Sequence, residues 1–99
     1  MAISYLQLGN TYLYLANNIG AKKYFELASI LFKRTGNEFG YAEAYSNTGL
    51  VEIKTKQYRK GINKEFVALN FFLEEGYAID AGVTYHFLVD AYLGLKKYD

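Results

Sequence analysis

Apolar side chains recur along the chain with the three- and four-residue spacing of one face of an α-helix. Two such series open the sequence: Tyr5, Leu8, Tyr12 and Leu15, then Tyr24, Leu27 and Leu31. Short segments that suit turns interrupt the pattern: Asn17-Asn18-Ile19-Gly20, Gly36-Asn37, Lys56-Gln57 and Gly76-Tyr77. The pattern predicts helices at about 2–16, 21–35, 39–55, 59–75 and 78–95.

The sequence also repeats itself at an offset of 40 residues. The positions that match are mostly small or aromatic: Ala2 with Ala42, Tyr5 with Tyr45 and Tyr85, Gly9 with Gly49, Ala28 with Ala68, Phe32 with Phe72, and Gly36 with Gly76. Small and aromatic residues occupy the places where helices cross closely or interlock, so we interpret the period as structural. It predicts an all-α fold, namely an α-solenoid of stacked antiparallel helix hairpins.

The length of 99 residues allows one domain with a single core. We expect this domain to contain one repeat at about 2–38, a second at about 39–77, and a half repeat at about 78–99. That division corresponds to two and a half hairpins, with the fifth helix left without a partner.

Composition narrows the possible functions. Eleven Lys and Arg residues against ten Asp and Glu give a net charge of +1, so no strong field attracts nucleic acid or an anionic membrane surface. Cysteine is absent and there is one histidine, which argues against disulfides, thiol catalysis, a metal site or another cofactor. Neither a signal peptide nor a long apolar stretch is visible, and a cytoplasmic protein without a membrane role is expected.

The first repeat carries an ordered motif in which an aromatic residue, a Leu-Gly pair and a tyrosine in the first helix are followed by small, aromatic and small residues in the second: Tyr5, Leu8-Gly9, Tyr12, Ala21, Phe25 and Ala28. This motif resembles that of the tetratricopeptide repeat family. The second repeat departs from this pattern at Thr48, Glu52 and Glu65, where apolar residues are expected. The 40-residue period resembles the longer variants of the family. HEAT and armadillo repeats share this period but usually lack the Leu-Gly pair.

The resemblance implies a concave groove, lined by the first helix of each hairpin, that holds a peptide or a helix of a partner protein. Carried over to this sequence, it implies the following binding residues: Gln7, Asn10, Glu43, Ser46, Asn47, Leu50, Lys54, His86 and Asp90. Asn47 takes the place of an asparagine that pairs with a ligand backbone in peptide-binding relatives, since an amide both donates and accepts. The alternative is that this amide bonds only its own helix or water.

The resemblance also bears on the ligand. The basic residues with which relatives hold a chaperone's acidic carboxyl tail are replaced here by Leu6, Val83 and Phe87, so that ligand is not expected. Glu43 and Asp90 would favour a basic ligand residue, and Lys54 an acidic one.

Catalysis is not expected. His86 and Asp90 are four residues apart on one helical face, as a base and its orienting group would be, but one histidine without cysteine leaves a metal shell incomplete. We expect the pair to line the groove instead.

The fifth helix carries apolar residues on more than one face: Tyr85, Phe87, Leu88, Val89, Tyr92 and Leu93. Either further repeats of a longer array cover them, or this helix caps the stack alone. A structural alternative to peptide binding follows, in which two copies associate as a homo-oligomer through the last helix.

Overall fold

The computed structural model describes residues 1–98 of the 99-residue chain. This part of the chain is all-helical and holds no strand, which confirms the expected fold class. The helices are α1 (Ala2–Tyr14), α2 (Asn18–Arg34), α3 (Glu38–Lys54), α4 (Tyr58–Glu74) and α5 (Ala78–Tyr98). Each helix packs on the next in hairpin-like pairs, and α3 also contacts α5. Asp99, the last residue of the expected half repeat, lies outside the described residues.

The four joints between the helices share one backbone geometry. A residue with positive φ stands in every joint at intervals of 20 residues: Ala16 (60°), Gly36 (73°), Lys56 (67°) and Gly76 (79°). At the second joint the Asn37 N–H donates to the Phe32 carbonyl five residues back, at 2.9 Å, and the other three joints have the equivalent bond. This is the Schellman arrangement, which satisfies the last carbonyls of a helix. The 40-residue sequence period therefore contains two structural steps of 20.

Asparagine side chains cap two of the helices. Asn17 and Asn37 accept hydrogen bonds from the backbone N–H groups of Gly20 and Gly40, at 3.0 and 2.8 Å. The first cap corrects the predicted boundary, because residues 17–20 do not form a separate loop: α2 begins at Asn18. The left-handed residue Ala16 likewise ends α1 at Tyr14, two residues earlier than expected.

The fifth helix is longer than expected. It continues to Tyr98, whereas the pattern predicted an end near residue 95. Each of the first four helices is followed, two residues after its last residue, by a positive-φ residue, but no described residue of α5 adopts that geometry.

Close approaches at glycine explain the packing within the first hairpin. A Cβ added to Gly9 of α1 would lie 2.5 Å from ring atoms of Phe25 in α2, so this glycine makes room for the buried ring. Phe25 packs with Ala21 and Val51, and a neighbouring cluster of Ala28, Phe32 and Ala44 continues the core into α3. A larger cluster joins α3, α4 and α5, with Leu69, Phe72 and Leu88 among its buried members.

None of the helices in the described part of the chain combines the length and the apolar content required to span a membrane.

Candidate functional site: a cleft between α3 and α5

A cleft of about 210 Å³ lies between α3 and α5. We call it the α3–α5 cleft and define it by its lining residues: Glu43, Ser46, Asn47, Phe72, Asp80, Val83, Thr84 and Phe87. All but Phe72, which belongs to α4, lie on the two flanking helices. Polar groups and two aromatic rings therefore meet in one concave site.

Helical spacing brings these side chains together. Glu43, Ser46 and Asn47 follow steps of three and four residues on α3, and the α5 residues stand at positions 80, 83, 84 and 87. Each set forms one face of its helix. The faces meet because α3 and α5 contact each other directly while both pack on α4.

Two carboxylates of the cleft stand on different helices. Glu43 of α3 and Asp80 of α5 are both half-buried. Loss of hydration, and secondly the negative charge of Asp80, raise the pKa of the Glu43 carboxyl above its usual value. Within residues 1–98 neither carboxylate forms an ion pair. The cleft therefore carries negative charge that no cation of the described chain balances.

Asn47 lies in the same cleft and is half-buried. Its side-chain amide makes no hydrogen bond to any other described residue. The amide can therefore offer two donors and one acceptor to a bound molecule.

Ser46 links the cleft to a buried polar cluster behind it. Its hydroxyl donates to Glu65 Oε1 of α4 at 2.6 Å, and Glu65 is fully buried. Burial raises the pKa of Glu65 to about 8, with a further rise from Glu52 and an opposing effect of the Ser46 hydrogen bond. Ser46 therefore lines the cleft while its hydroxyl donates a structural hydrogen bond to Glu65.

The second acid of this buried cluster is balanced by lysines. Glu52, which is 2 % exposed, lies 3.0 Å from Lys64 Nζ of α4 and 3.2 Å from Lys22 Nζ of α2. Thr48, the third unexpected polar residue of the second repeat, donates to the Ala44 carbonyl of its own helix at 3.0 Å. Paired charges and local hydrogen bonds thus allow polar residues at positions where the repeat pattern predicts apolar ones.

The structure brings together three of the residues that the sequence predicted for binding, Glu43, Ser46 and Asn47. The remaining predicted residues are not part of the cleft lining. Gln7 and Asn10 are exposed on α1, Lys54 is exposed at the end of α3, and Leu50 is half-buried in α3.

His86 and Asp90 form a pair of their own on α5. His86 Nε2 lies 3.6 Å from Asp90 Oδ2, and the two side chains are 73 % and 54 % exposed. Neither lines the α3–α5 cleft, so the acidic partner of Glu43 is Asp80 rather than Asp90. Among the described residues no group of three or more potential ligands could hold a metal ion.

Sequence reasoning did not single out Asp80, Thr84 or Phe72 as binding residues. Asp80 and Thr84 could have been found from helical spacing, because they lie on the same face of α5 as Val83 and Phe87. Nothing in the sequence indicated that Phe72 lines a cleft, because its match with Phe32 at the 40-residue offset predicts a core residue. Only the packing of α4 shows that Phe72 lies in the core and also reaches the cleft.

A larger cavity of about 390 Å³ lies elsewhere, between α2, α3 and α4. Apolar and aromatic side chains dominate its lining, among them Phe32, Tyr41, Tyr45, Val67 and Phe71. Ligand sites usually combine such walls with a few converging polar groups. Both cavities have that combination, since Lys33, Asn37 and Glu38 also line the larger one. We take the α3–α5 cleft as the candidate site because it alone of the two contains residues that the resemblance assigns to binding, namely Glu43, Ser46 and Asn47.

Comparison with family models, with curated proteins and with solved structures finds no match to this chain.

Proposed function

We propose that this chain is a non-catalytic peptide-binding module of the tetratricopeptide kind, and that the α3–α5 cleft holds a segment of a partner protein. The proposal unites the resemblance of the first repeat with the geometry of the cleft. One observation carries it: Asn47, the residue that the resemblance assigns to a ligand backbone, lies in the cleft with an amide that bonds no described residue.

The character of the cleft supports a peptide as the ligand. The Asn47 amide can donate to a backbone carbonyl of the ligand and accept from a backbone N–H, which provides affinity regardless of the ligand's side chains. Val83 and Phe87 on the opposite wall provide apolar surface for those side chains. The single histidine of the sequence does not line the cleft, and we propose no catalytic role for the site. We place the module in the cytoplasm because the sequence has no cysteine to form disulfides.

Selection from a phage-displayed library of random short peptides tests the proposal. The chain should enrich a set of related peptides, and N47A should weaken their binding about tenfold or more, because the variant leaves a ligand peptide group unpaired. N10A should also weaken binding if the ligand extends to α1. The matched control is N70A, since Asn70 is an exposed asparagine of α4 outside the cleft.

Helical content measured by circular dichroism should be the same in all four proteins. The proposal is wrong if no peptide is enriched, or if N47A and N70A bind the enriched peptides as tightly as the unchanged chain does.

A second candidate function, self-association, is favoured by a specific surface. One face of α5 forms an open apolar depression of about 450 Å³ with Phe66 of α4, lined by Phe66, Tyr85, Leu88, Val89, Tyr92, Leu93 and Lys96. At the 40-residue offset, Val89 corresponds to Gly9 and Gly49, which contact α2 and α4. In α1 and α3 this face packs against the following helix. The corresponding face of α5 is exposed. A second copy could cover it, as an isologous pair through the last helix.

A further inference from the structure

The two carboxylates of the α3–α5 cleft differ from the other buried or paired acids in having no hydrogen-bond or ion-pair partner among the described residues. Glu65 accepts a hydrogen bond from Ser46, Glu52 is buried against Lys22 and Lys64, and Asp90 lies beside His86. Glu43 and Asp80 are half-buried, have no cationic partner among residues 1–98, and face the same cleft from opposite walls.

This arrangement of two carboxylates costs free energy. Partial burial removes water from both carboxylates, and each charge disfavours the other. Both effects are visible at Glu43, whose raised pKa is due first to burial and then to Asp80. A cationic group between the two carboxylates would offset both the lost hydration and the repulsion between the two charges.

The rest of the cleft fits the stem of a long cationic side chain. Val83 and Phe87 stand on the same α5 face as Asp80, at successive turns, and Phe72 adds a second ring from α4. Lys and Arg lay their methylene groups along such apolar surface while the charged end reaches polar groups, and a ring face attracts the cation itself. A bare divalent cation fits less well, because calcium takes six to eight oxygen ligands.

We infer that the α3–α5 cleft selects peptides that carry a lysine or arginine, with the cationic group held between Glu43 and Asp80 and the stem against Phe87. This inference rests on the proposed function and adds the chemistry of the ligand. In this arrangement the Asn47 amide binds the peptide backbone, and the carboxylates of Glu43 and Asp80 bind one basic side chain of the peptide.

The same phage-displayed library tests the inference. The enriched peptides should share a Lys or Arg at one position, and replacing it by norleucine should weaken binding to the unchanged chain about tenfold or more. E43Q and D80N should weaken binding of the original peptides to a similar extent. In the double variant the norleucine replacement should have little further effect, as expected for groups that interact directly.

The matched control is E74Q, which removes one exposed carboxylate at the end of α4, outside the cleft. Affinities are measured by fluorescence anisotropy with synthetic copies of the enriched peptides. E74Q should bind as the unchanged chain does. The norleucine peptide keeps the test valid even if a protein variant is poorly folded.

The outcomes separate the inference from the proposed function. If peptides are enriched and depend on Asn47, but share no basic residue and bind E43Q and D80N unchanged, the inference is overturned and the proposed function stands. Enrichment of peptides whose conserved residue is acidic overturns it equally. If no peptide is enriched, the proposed function fails and the inference fails with it.

Discussion

At the scale of single residues, the most unusual feature is a pair of buried glutamates in the second hairpin. Glu65 stands 40 positions after Phe25, and Gly49 the same distance after Gly9. In the first hairpin the glycine makes room for a ring, and in the second a Cβ on Gly49 would lie 2.7 Å from Glu65 Oε2. The same position of the repeat is therefore occupied by an aromatic ring in the first hairpin and by a carboxyl group in the second.

The protonation of Glu65 gives the first prediction. Its pKa rises from 4.5 to about 8 on folding, so the folded chain binds more protons than the unfolded one between these values. The contribution of Glu65 to stability is therefore fully present below pH 4.5 and is lost as the pH rises through about 8. Urea unfolding across this range should show a falling free energy of unfolding.

The comparison for this prediction is E65Q, which keeps an acceptor for Ser46 and cannot ionise. Its free energy of unfolding should fall less steeply with pH than that of the unchanged chain. Some slope should remain, because the pKa of Glu43 is raised as well. Equal slopes in the two proteins would show that Glu65 does not carry the effect.

The sequence identified the unusual residues but not their partners. Thr48, Glu52 and Glu65 stand out because they break the apolar pattern of the repeat. Their environments could not be predicted, since one partner of Glu52 is Lys22 from the preceding hairpin. Such a pair depends on how hairpins stack, and no spacing within one helix encodes it.

At the scale of helices, glycine has two different roles within the same type of element. Gly9 lies against the fully buried ring of Phe25, whereas a Cβ on Gly82 of α5 would meet no heavy atom within 4 Å. The first glycine is required for close packing. The second provides only backbone freedom, which an α-helix does not need.

This contrast gives the second prediction. G9A should destabilise the chain by about 1–3 kcal/mol, because the added methyl group collides with Phe25. G82A should instead stabilise it by about 0.5–1 kcal/mol through better helix propensity. Urea unfolding at one pH measures both. Equal effects of the two substitutions would contradict the packing in the first hairpin.

The helix boundaries were predictable where the residue type determines the turn. Gly36 and Gly76 indicated left-handed joints, and both have positive φ. Ala16 and Lys56 adopt the same conformation, but neither residue favours it. At both residues the hydrogen bonds of the turn impose the geometry. The sequence nevertheless predicted the joint at Lys56-Gln57, whereas beside Ala16 it misplaced the end of α1 and the start of α2.

At the scale of the whole molecule, the uncovered face of α5 is the main departure from a closed stack. Val89, Tyr92 and Leu93 are 55 %, 49 % and 63 % exposed on one helix. Exposed apolar patches of this kind usually mark interaction sites.

Self-association through this face gives the third prediction. The chain should be dimeric in sedimentation equilibrium at high concentration, and L93E should shift it towards monomer because a buried glutamate without a partner is costly at the interface. The matched control is I79E, since Ile79 is 85 % exposed on α5 but does not line the depression. A monomer at every concentration, or equal effects of the two variants, would exclude this face as a dimer interface.

The sequence by itself determined the helices, their 40-residue period and the face on which Glu43, Ser46 and Asn47 stand, because local spacing and small residues control these features. Only the tertiary structure decided that Asp80 rather than Asp90 faces Glu43, and that Phe72 joins the cleft. The reason is geometric. A residue's place along its helix follows from the sequence, but its neighbours across a cleft depend on how adjacent hairpins are rotated and offset against each other.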